Sequence, residues 1–293
     1  MGRIARIFIS KTSLTPDDED AIINRGPTLL DDYDEAHISV VFTWDIPRAN
    51  QLAEAWSKHC EIKVGGPATG MRGEEFSTGM YLQKRATITS RGCPNKCWFC
   101  SVWKRDGGLR EFDIKDGNEV CDDNLLACSE SHIREVFEML NRQKESPLFT
   151  GGLEAKILKG WHIDLLESLR RKPNALYFAY DTPDDYEPLV EAGKLFRNTY
   201  WGTSNMSKLR CYQLSGFPKD TIQDAERRAM QCVRAGFLPF IMLYRDKNGN
   251  NGFAPEDKKA WSTFANHWNF PIKVMPTLRN YGIVDEQYKL IRT

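Results

Sequence analysis

Three of the eight cysteines stand close together in the chain. Cys93, Cys97 and Cys100 follow the spacing C-x3-C-x2-C. Thiolates this close in sequence can turn inward from one loop and bind one metal centre. A structural zinc site normally takes four protein ligands, whereas an iron–sulfur cubane has four irons normally held by four cysteines. Three thiolates would leave one iron of a cubane open to bind a substrate or a cofactor.

The other five cysteines are scattered and form no second close pair. We expect ordinary buried thiols, and therefore a single metal centre, although a cysteine that donates a hydrogen atom or carries a methyl group is an alternative. The even total does not indicate a disulfide framework, because a chain of 293 residues has ample core material and its N-terminus lacks a long apolar signal segment. These cysteines are Cys60, Cys121, Cys128, Cys211 and Cys232.

Composition narrows the class of protein. The chain is 41% hydrophobic and 27% charged, with a formal net charge of zero, as in ordinary globular proteins. The hydrophobic content excludes wholesale disorder. The zero net charge argues against nucleic-acid binding by general electrostatic attraction, but it does not exclude a local basic groove. No apolar run approaches the roughly 18 residues of a membrane span. We expect a cytoplasmic protein with no membrane partner.

The elements that must position the cysteines alternate between strand and helix patterns. A short strand over 86–90 is predicted to lead into the cysteine loop, and Thr221 or Asp220 and Gly236 are predicted to start and stop one of the helices. Such alternation indicates parallel strands with right-handed crossovers and a functional site at their carboxyl ends. Five or six such units favour a partial barrel over a full one. Further strands are predicted over 147–150, 175–180, 209–214, 238–244 and 271–274.

The cysteine motif, with Phe99 directly before its last cysteine, resembles the signature of the radical S-adenosylmethionine (SAM) superfamily. The stretch 87–94 is similar to the strand and loop that open that family's barrel, and the resemblance covers about residues 82–275. It implies an α/β fold with a partial (β/α)6 radical SAM barrel over residues 81–293. It also implies a [4Fe–4S] cluster and SAM chelated to the open iron. The implied cluster ligands are Cys93, Cys97 and Cys100.

The resemblance implies SAM contacts after the second strand of the barrel. Gly151, Gly152 and Glu154 are similar to the family's Gly-Gly-Glu segment, although Leu153 separates the glycines from the carboxylate. Two glycines allow close backbone approach, and a carboxylate suits the SAM ammonium. Asp181 follows a buried strand and is expected on the ribose hydroxyls, a helix cap being the alternative.

A later strand, over 209–214, resembles the family strand that lines the adenine and ends in a Gly-x-Pro turn. Alternation places Arg210 and Tyr212 on the same side of this strand. Arg210 is expected to pair with the SAM carboxylate, with a surface salt bridge as the alternative. Tyr212 and Gly216 are expected to be cofactor contacts, as is Phe99 of the cysteine motif.

Residues 1–80 predict a small Rossmann-like α/β segment, with a strand over 38–45, a helix from Pro47 and a strand over 61–67. The resemblance is closest to the radical SAM branch that often carries a cobalamin-binding-type domain upstream. However, that domain's Asp-x-His-x-x-Gly motif is absent, since His37 has the wrong spacing and no glycine. We therefore predict a degenerate segment that packs on the barrel and does not bind cobalamin.

The function implied by the resemblance is reductive cleavage of SAM to a 5′-deoxyadenosyl radical, which abstracts hydrogen from a substrate that the sequence does not identify. The electron would come from a flavodoxin- or ferredoxin-type donor, and nucleic acid is not indicated as a partner. The charged loop over 101–124 is either a solvated loop, a lid or a partner surface. Two other functions stay open: an iron–sulfur electron-transfer or sensing protein without SAM cleavage, and a zinc-stabilised binding module.

Overall fold

The computed structural model describes residues 2–69, 76, 78–287 and 289–291. Within them the protein is a mixed α/β structure with three parallel sheets and one two-stranded antiparallel ribbon. None of the helices in this part of the chain has the length and apolar character needed to cross a membrane. The α/β class predicted from the sequence is confirmed.

The N-terminal segment is a four-stranded parallel sheet in the order β2-β1-β3-β4. Its core is apolar, with Ile7 and Ile38 fully buried against Leu52 and Trp56 of the helix. The elements are β1 (Ile4–Phe8), β2 (Ala21–Ile23), β3 (Glu35–Ser39), α1 (Ile46–Trp56) and β4 (Glu61–Gly65).

The predicted strand over 38–45 is shifted in the structure, because β3 begins at Glu35 and ends at Ser39. The apolar residues after it lie at the carboxyl end of the sheet, where Thr43–Asp45 form a 3₁₀ turn that leads into α1. Trp44 in this turn lies against the loop after the last strand of the chain: a Cβ built on Gly249 would lie 3.4 Å from the Trp44 ring. Thr43 Oγ1 donates a hydrogen bond of 2.6 Å to the Lys247 carbonyl in the same loop.

The C-terminal part contains two three-stranded parallel sheets, β5-β8-β9 and β10-β11-β12, and the ribbon β6-β7. The two sheets adjoin where the Leu153 N–H donates to the Tyr177 carbonyl at 2.7 Å. The strands are β5 (Ala86–Thr87), β6 (Ser90–Arg91), β7 (Arg110–Glu111), β8 (Glu119–Val120), β9 (Leu148–Phe149), β10 (Leu176–Ala179), β11 (Leu209–Ser215) and β12 (Leu238–Leu243).

Helices alternate with these strands and bury their apolar faces in the core. Thr221 caps α6 by accepting a hydrogen bond from the Asp224 N–H, and Gly236 follows its end at a φ of +97°, as predicted. The helices are α2 (Val102–Arg105), α3 (Glu130–Arg142), α4 (Gly160–Ser168), α5 (Tyr186–Phe196), α6 (Ile222–Arg234), α7 (Lys258–Asn269) and α8 (Pro271–Asn280).

The predicted last strand over 271–274 is wrong, because these residues form the first turn of α8. A proline suits the first turn of a helix, and Val274, Met275 and Leu278 then recur at helical spacing on one buried stripe. A run of four residues is too short to distinguish a strand from a buried helix by its pattern. The other strands predicted after the cysteine loop are present, most of them with shorter bounds.

Candidate functional site

A cavity of about 490 Å³ lies between the cysteine loop and the residues that follow β9 and β10. Its walls combine segments more than 80 residues apart in the chain, so the fold assembles it. Seven residues singled out from the sequence line it together: Cys93, Cys97, Phe99, Gly151, Gly152, Glu154 and Asp181. Cys100 lies next to the cavity, and its N–H donates to the Cys97 carbonyl at 3.1 Å.

The cysteine loop has a defined backbone. Gly92 has a φ of +91°, and a Cβ there would lie 2.3 Å from the Gly108 carbonyl oxygen, so only glycine fits. The Gly92 N–H donates to the Asp123 carboxylate at 3.0 Å. Trp103 Nε1 donates to the Cys97 carbonyl at 3.1 Å, which ties the loop to α2. The loop is therefore held from both sides, and two of its cysteines, Cys93 and Cys97, line the cavity.

The spacing of the loop sulfurs bears on which metal they could hold. Among the described residues, one group of His, Cys and acidic side chains has all its ligand atoms within 4.8 Å of one another. It consists of Asp122, Cys128 and His132, and the loop cysteines do not form such a group. Around one zinc ion the sulfurs would be about 3.8 Å apart, given zinc–sulfur bonds of about 2.3 Å. The three loop sulfurs are therefore not all spaced for a single zinc ion in this structure. Burial raises the pKa of Cys97 to about 11, so a bound cation would be needed to hold that sulfur as a thiolate.

The Asp122, Cys128 and His132 group is a hydrogen-bonded network. The Asp122 carboxylate accepts from the Thr89 N–H at 2.6 Å and from its hydroxyl at 2.5 Å, and His132 Nε2 lies 3.1 Å from that hydroxyl. Ser90 Oγ donates to Asp122 at 2.8 Å. The carboxylate already has its donors, so the network holds the bend between β5 and β6 that leads into the cysteine loop.

Glu154 is fixed over the cysteine loop by two asparagines. Asn124 Nδ2 lies 2.5 Å from one carboxylate oxygen of Glu154 and 3.4 Å from the Cys93 sulfur. Asn95 Nδ2 donates to the other oxygen at 2.8 Å. The sequence analysis selected neither asparagine. Asn95 could have been selected, because it lies inside the cysteine motif.

The two glycines before Glu154 are required for different reasons. A Cβ on Gly151 would lie 1.8 Å from the Asp122 carbonyl oxygen, so a side chain there would displace the backbone of the cavity wall. A Cβ on Gly152 would make only an ordinary contact, 3.7 Å from the Tyr212 ring, but its φ of +78° is a conformation that favours glycine.

Asp181 lies at the carboxyl end of β10, and it does not cap a helix. Its Oδ1 accepts the Leu214 N–H at 2.8 Å, whereas the capping contacts at this turn belong to Thr182 and Asp185. Burial, with a smaller contribution from Asp185, raises the pKa of Asp181 to about 6. A carboxylate with a pKa this high inside a cavity is typical of functional sites.

The cavity walls carry more negative than positive charge. Five carboxylates line it against two lysines, Lys96 and Lys156. Lys156 is already paired, with its Nζ 2.7 Å from Asp185 and 3.0 Å from Asp184. Asp123 in turn lies within 3.6 Å of Arg91 and Arg105. Glu154 and Asp181 are thus the lining carboxylates without an ion pair among the described residues, and they favour a ligand with positive charge. The carboxylates are those of Asp123, Glu154, Asp181, Asp184 and Asp185.

The structure does not bring Arg210, Tyr212 and Gly216 into this cavity. Arg210 is only 6% exposed, and its guanidinium donates to two backbone carbonyls, so it forms neither a surface salt bridge nor a cavity wall. Tyr212 touches the cavity only from behind Gly152. Gly216 packs against Phe253 in the turn after β11.

The remaining cysteines are free thiols away from the motif: Cys128, Cys211 and Cys232 are buried, and Cys60 and Cys121 are half-buried.

In the N-terminal sheet both ring nitrogens of His37 have a hydrogen-bond partner. Its Nδ1 lies 2.5 Å from the Tyr81 hydroxyl and its Nε2 lies 2.8 Å from Glu35.

No protein-family model matches the chain, and a comparison with curated proteins finds no matching relative. The resemblance to radical SAM enzymes therefore rests on the cysteine motif and on the residues that share its cavity.

Proposed function

We propose that the protein is a radical SAM enzyme with one [4Fe–4S] cluster. The observation that carries the proposal is the shared cavity: two motif cysteines, two glycines, a carboxylate held over them and a half-buried aspartate all line one space. The sequence selected these residues from three separate segments, and the fold brings the three segments together.

The residues fit the implied group. Cys93, Cys97 and Cys100 would hold three irons, and the fourth would take the amino and carboxylate groups of SAM. When bound, the cluster would supply the single electron that breaks the sulfur–carbon bond of SAM, giving methionine and the 5′-deoxyadenosyl radical that would take a hydrogen atom from the substrate. The chain's task is to orient the reactants and exclude water.

The cavity wall suits SAM in charge and in hydrogen bonding. Glu154, whose two oxygens accept hydrogen bonds from asparagines, would accept a hydrogen bond from the SAM ammonium. Asp181, which keeps one oxygen on the Leu214 N–H, would accept hydrogen bonds from the ribose hydroxyls. The surplus of carboxylates stabilises a ligand that carries a sulfonium and an ammonium.

The wider architecture is part of the same proposal. The sheets β5-β8-β9 and β10-β11-β12, joined at Leu153, would form the wall of a partial (β/α)6 barrel. The N-terminal segment would be a degenerate cobalamin-binding-type domain. A cytoplasmic setting would keep the thiols reduced and supply a flavodoxin- or ferredoxin-type electron donor.

The proposal is tested by anaerobic cluster reconstitution followed by dithionite and SAM, with 5′-deoxyadenosine measured by mass spectrometry. We expect about four irons and four sulfides per chain and 5′-deoxyadenosine from the unmodified protein, but not from Cys97→Ala. The matched control is Cys60→Ala, which removes a half-buried thiol from the N-terminal segment and is expected to retain activity.

Two results would support the other functions, and a third would contradict the single metal centre. Zinc in place of iron supports a binding module. Iron without SAM binding supports an electron carrier or sensor. Iron near eight per chain would mean a second cluster and would contradict the single centre.

A further inference from the structure

One face of the sheet β10-β11-β12 is packed and the other is partly open. Leu176 and Phe178 are fully buried on the packed face, where Phe178 meets Phe196 of α5 at 5.6 Å between ring centroids. On the opposite face Tyr177 is only half-buried, and Met242 is 46% exposed. Parallel sheets are normally covered on both faces, so an open apolar face is a candidate ligand surface.

The open face carries a group of aromatic rings on three neighbouring strands. The rings of Tyr177 and Tyr212 are stacked, with centroids 4.9 Å apart and an interplanar angle of 23°. Phe240 meets both edge-on, at 6.2 Å from Tyr177 and 5.7 Å from Tyr212. A half-exposed aromatic wall of this kind suits a flat ring that can stack or pack edge-to-face.

A buried cation lies at the base of this wall. Arg210 is 6% exposed, and its guanidinium lies 5.9 Å from the Tyr177 ring centre and 5.5 Å from that of Phe240. Its contacts with the carbonyls of Pro239 and Asn269 are both long, at 3.3 Å. Its Nε is buried and has no hydrogen-bond partner.

Within the described part of the chain, Arg210 has no carboxylate partner. A buried charge without a counter-charge costs free energy unless a partner is supplied. Burial accordingly lowers the pKa of Arg210. An anionic group of a ligand would complete the site.

The aromatic wall is continuous with the cavity described above. Tyr212 lies behind Gly152, which lines that cavity, and its register partner on β10 is Ala179, another lining residue. Arg210 stands two residues before Tyr212 on the same strand, about 7 Å away. A ring beside Tyr212 would thus lie near the cavity while its substituent points toward Arg210.

We propose that this open face binds the substrate, and that the substrate is a planar aromatic molecule with a carboxylate on a short side chain. The ring packs on Tyr177 and Tyr212, and Arg210 takes the carboxylate. A single cation matches one negative charge, since Arg210 is the one charged residue that alternation places on this face of β10, β11 and β12. The inference deepens the proposed function and rests on it for the hydrogen-atom transfer, but the binding itself does not depend on SAM cleavage.

The test is calorimetric titration of the full chain with indole-3-acetate and 4-hydroxyphenylacetate, each compared with its uncharged amide. We expect the unmodified protein to bind at least one acid about tenfold more tightly than its amide. Arg210→Gln should abolish that preference, and Tyr212→Leu should weaken acid and amide alike. The control Arg134→Gln, which removes an exposed arginine paired with Glu130, should change neither.

Thermal unfolding distinguishes a variant that has lost the binding site from one that has lost its fold. Because the guanidinium is buried without a counter-charge, Arg210→Met should unfold at the same or a higher temperature in the absence of ligand. Equal affinity for acid and amide, no binding of either acid, or an acid preference that survives Arg210→Gln would overturn the inference. So would an Arg210→Met protein that unfolds well below the unmodified one, since Arg210 would then be structural.

The two proposals fail separately. A protein that makes 5′-deoxyadenosine but shows no preference for the acids would refute the substrate site alone. A protein with an Arg210-dependent acid site that does not cleave SAM would refute the enzyme alone.

Discussion

Asp181 is predicted to reduce the stability of the free protein at neutral pH. Its pKa rises from 3.8 to about 6 on folding, chiefly through burial. The ionised form is therefore disfavoured in the folded protein. The contribution of Asp181 to the free energy of unfolding is highest below pH 3.8, where the carboxyl is protonated in both states, and it is lost as the pH rises through 6. The difference corresponds to about 3 kcal/mol. Partial contact with solvent in the cavity reduces our expectation to about 2 kcal/mol.

Asp181→Asn tests this directly, because the amide keeps an oxygen for the Leu214 N–H and cannot ionise. At pH 8 the variant should be more stable by about 2 kcal/mol, a rise in melting temperature of about 4 to 6 °C for a chain of this size. The gain should shrink steadily between pH 6 and pH 4.

The measurement is thermal unfolding of chelator-treated protein at several pH values. The control is Asp164→Asn, on the solvent-facing side of α4, which should show little pH-dependent difference. A gain that is the same at pH 8 and pH 4.5, or a loss at pH 8, would refute the reasoning about burial.

Two further predictions concern the cavity wall. Glu154→Gln should weaken SAM binding about ten- to a hundredfold, because a charge-assisted hydrogen bond contributes about 1.5 to 3 kcal/mol. Equilibrium binding to reconstituted protein checks this, and unchanged affinity would remove Glu154 from the site. Gly151→Ala should destabilise the protein by more than about 2 kcal/mol in denaturant unfolding, because the new Cβ would lie 1.8 Å from the Asp122 carbonyl oxygen. Gly160→Ala, where no atom lies within 4 Å of the added Cβ, is the matched control and should be neutral or slightly stabilising; equal losses in the two variants would contradict the steric argument.

Local patterns predicted most of the elements after the cysteine loop, because each strand is a short buried run and each helix carries an apolar stripe. They failed at 271–274, where four apolar-rich residues fit both a strand and a helix. They also missed β1 and β2 in the N-terminal segment and β8, which lies within the predicted loop over 101–124. Length does not separate these strands from the predicted ones, since β4 also has five residues and β9 only two. β1 and β8 each lie between two partner strands in their sheets, and a local pattern does not contain those partners.

The candidate site was likewise predictable from the sequence only in part. The cysteines, the glycines and Glu154 are grouped in sequence and could be selected by residue type. The contacts of Asn124 and the isolation of Arg210 depend on which strands lie side by side, so spacing did not reveal them. Asp181 was selected for its place after a strand, but its raised pKa depends on burial that only the fold creates.

The contact between Trp44 and Gly249 has a consequence for engineering. Gly249 has a φ of +85° and lies against the indole, so the loop after β12 is shaped to the N-terminal segment. A shortened protein that begins near residue 81 would lack Trp44 together with Phe42, whose ring stacks on it at 4.9 Å, and the loop would lose this packing partner. An exchange of the N-terminal segment for that of another protein should therefore include the loop over 245–251.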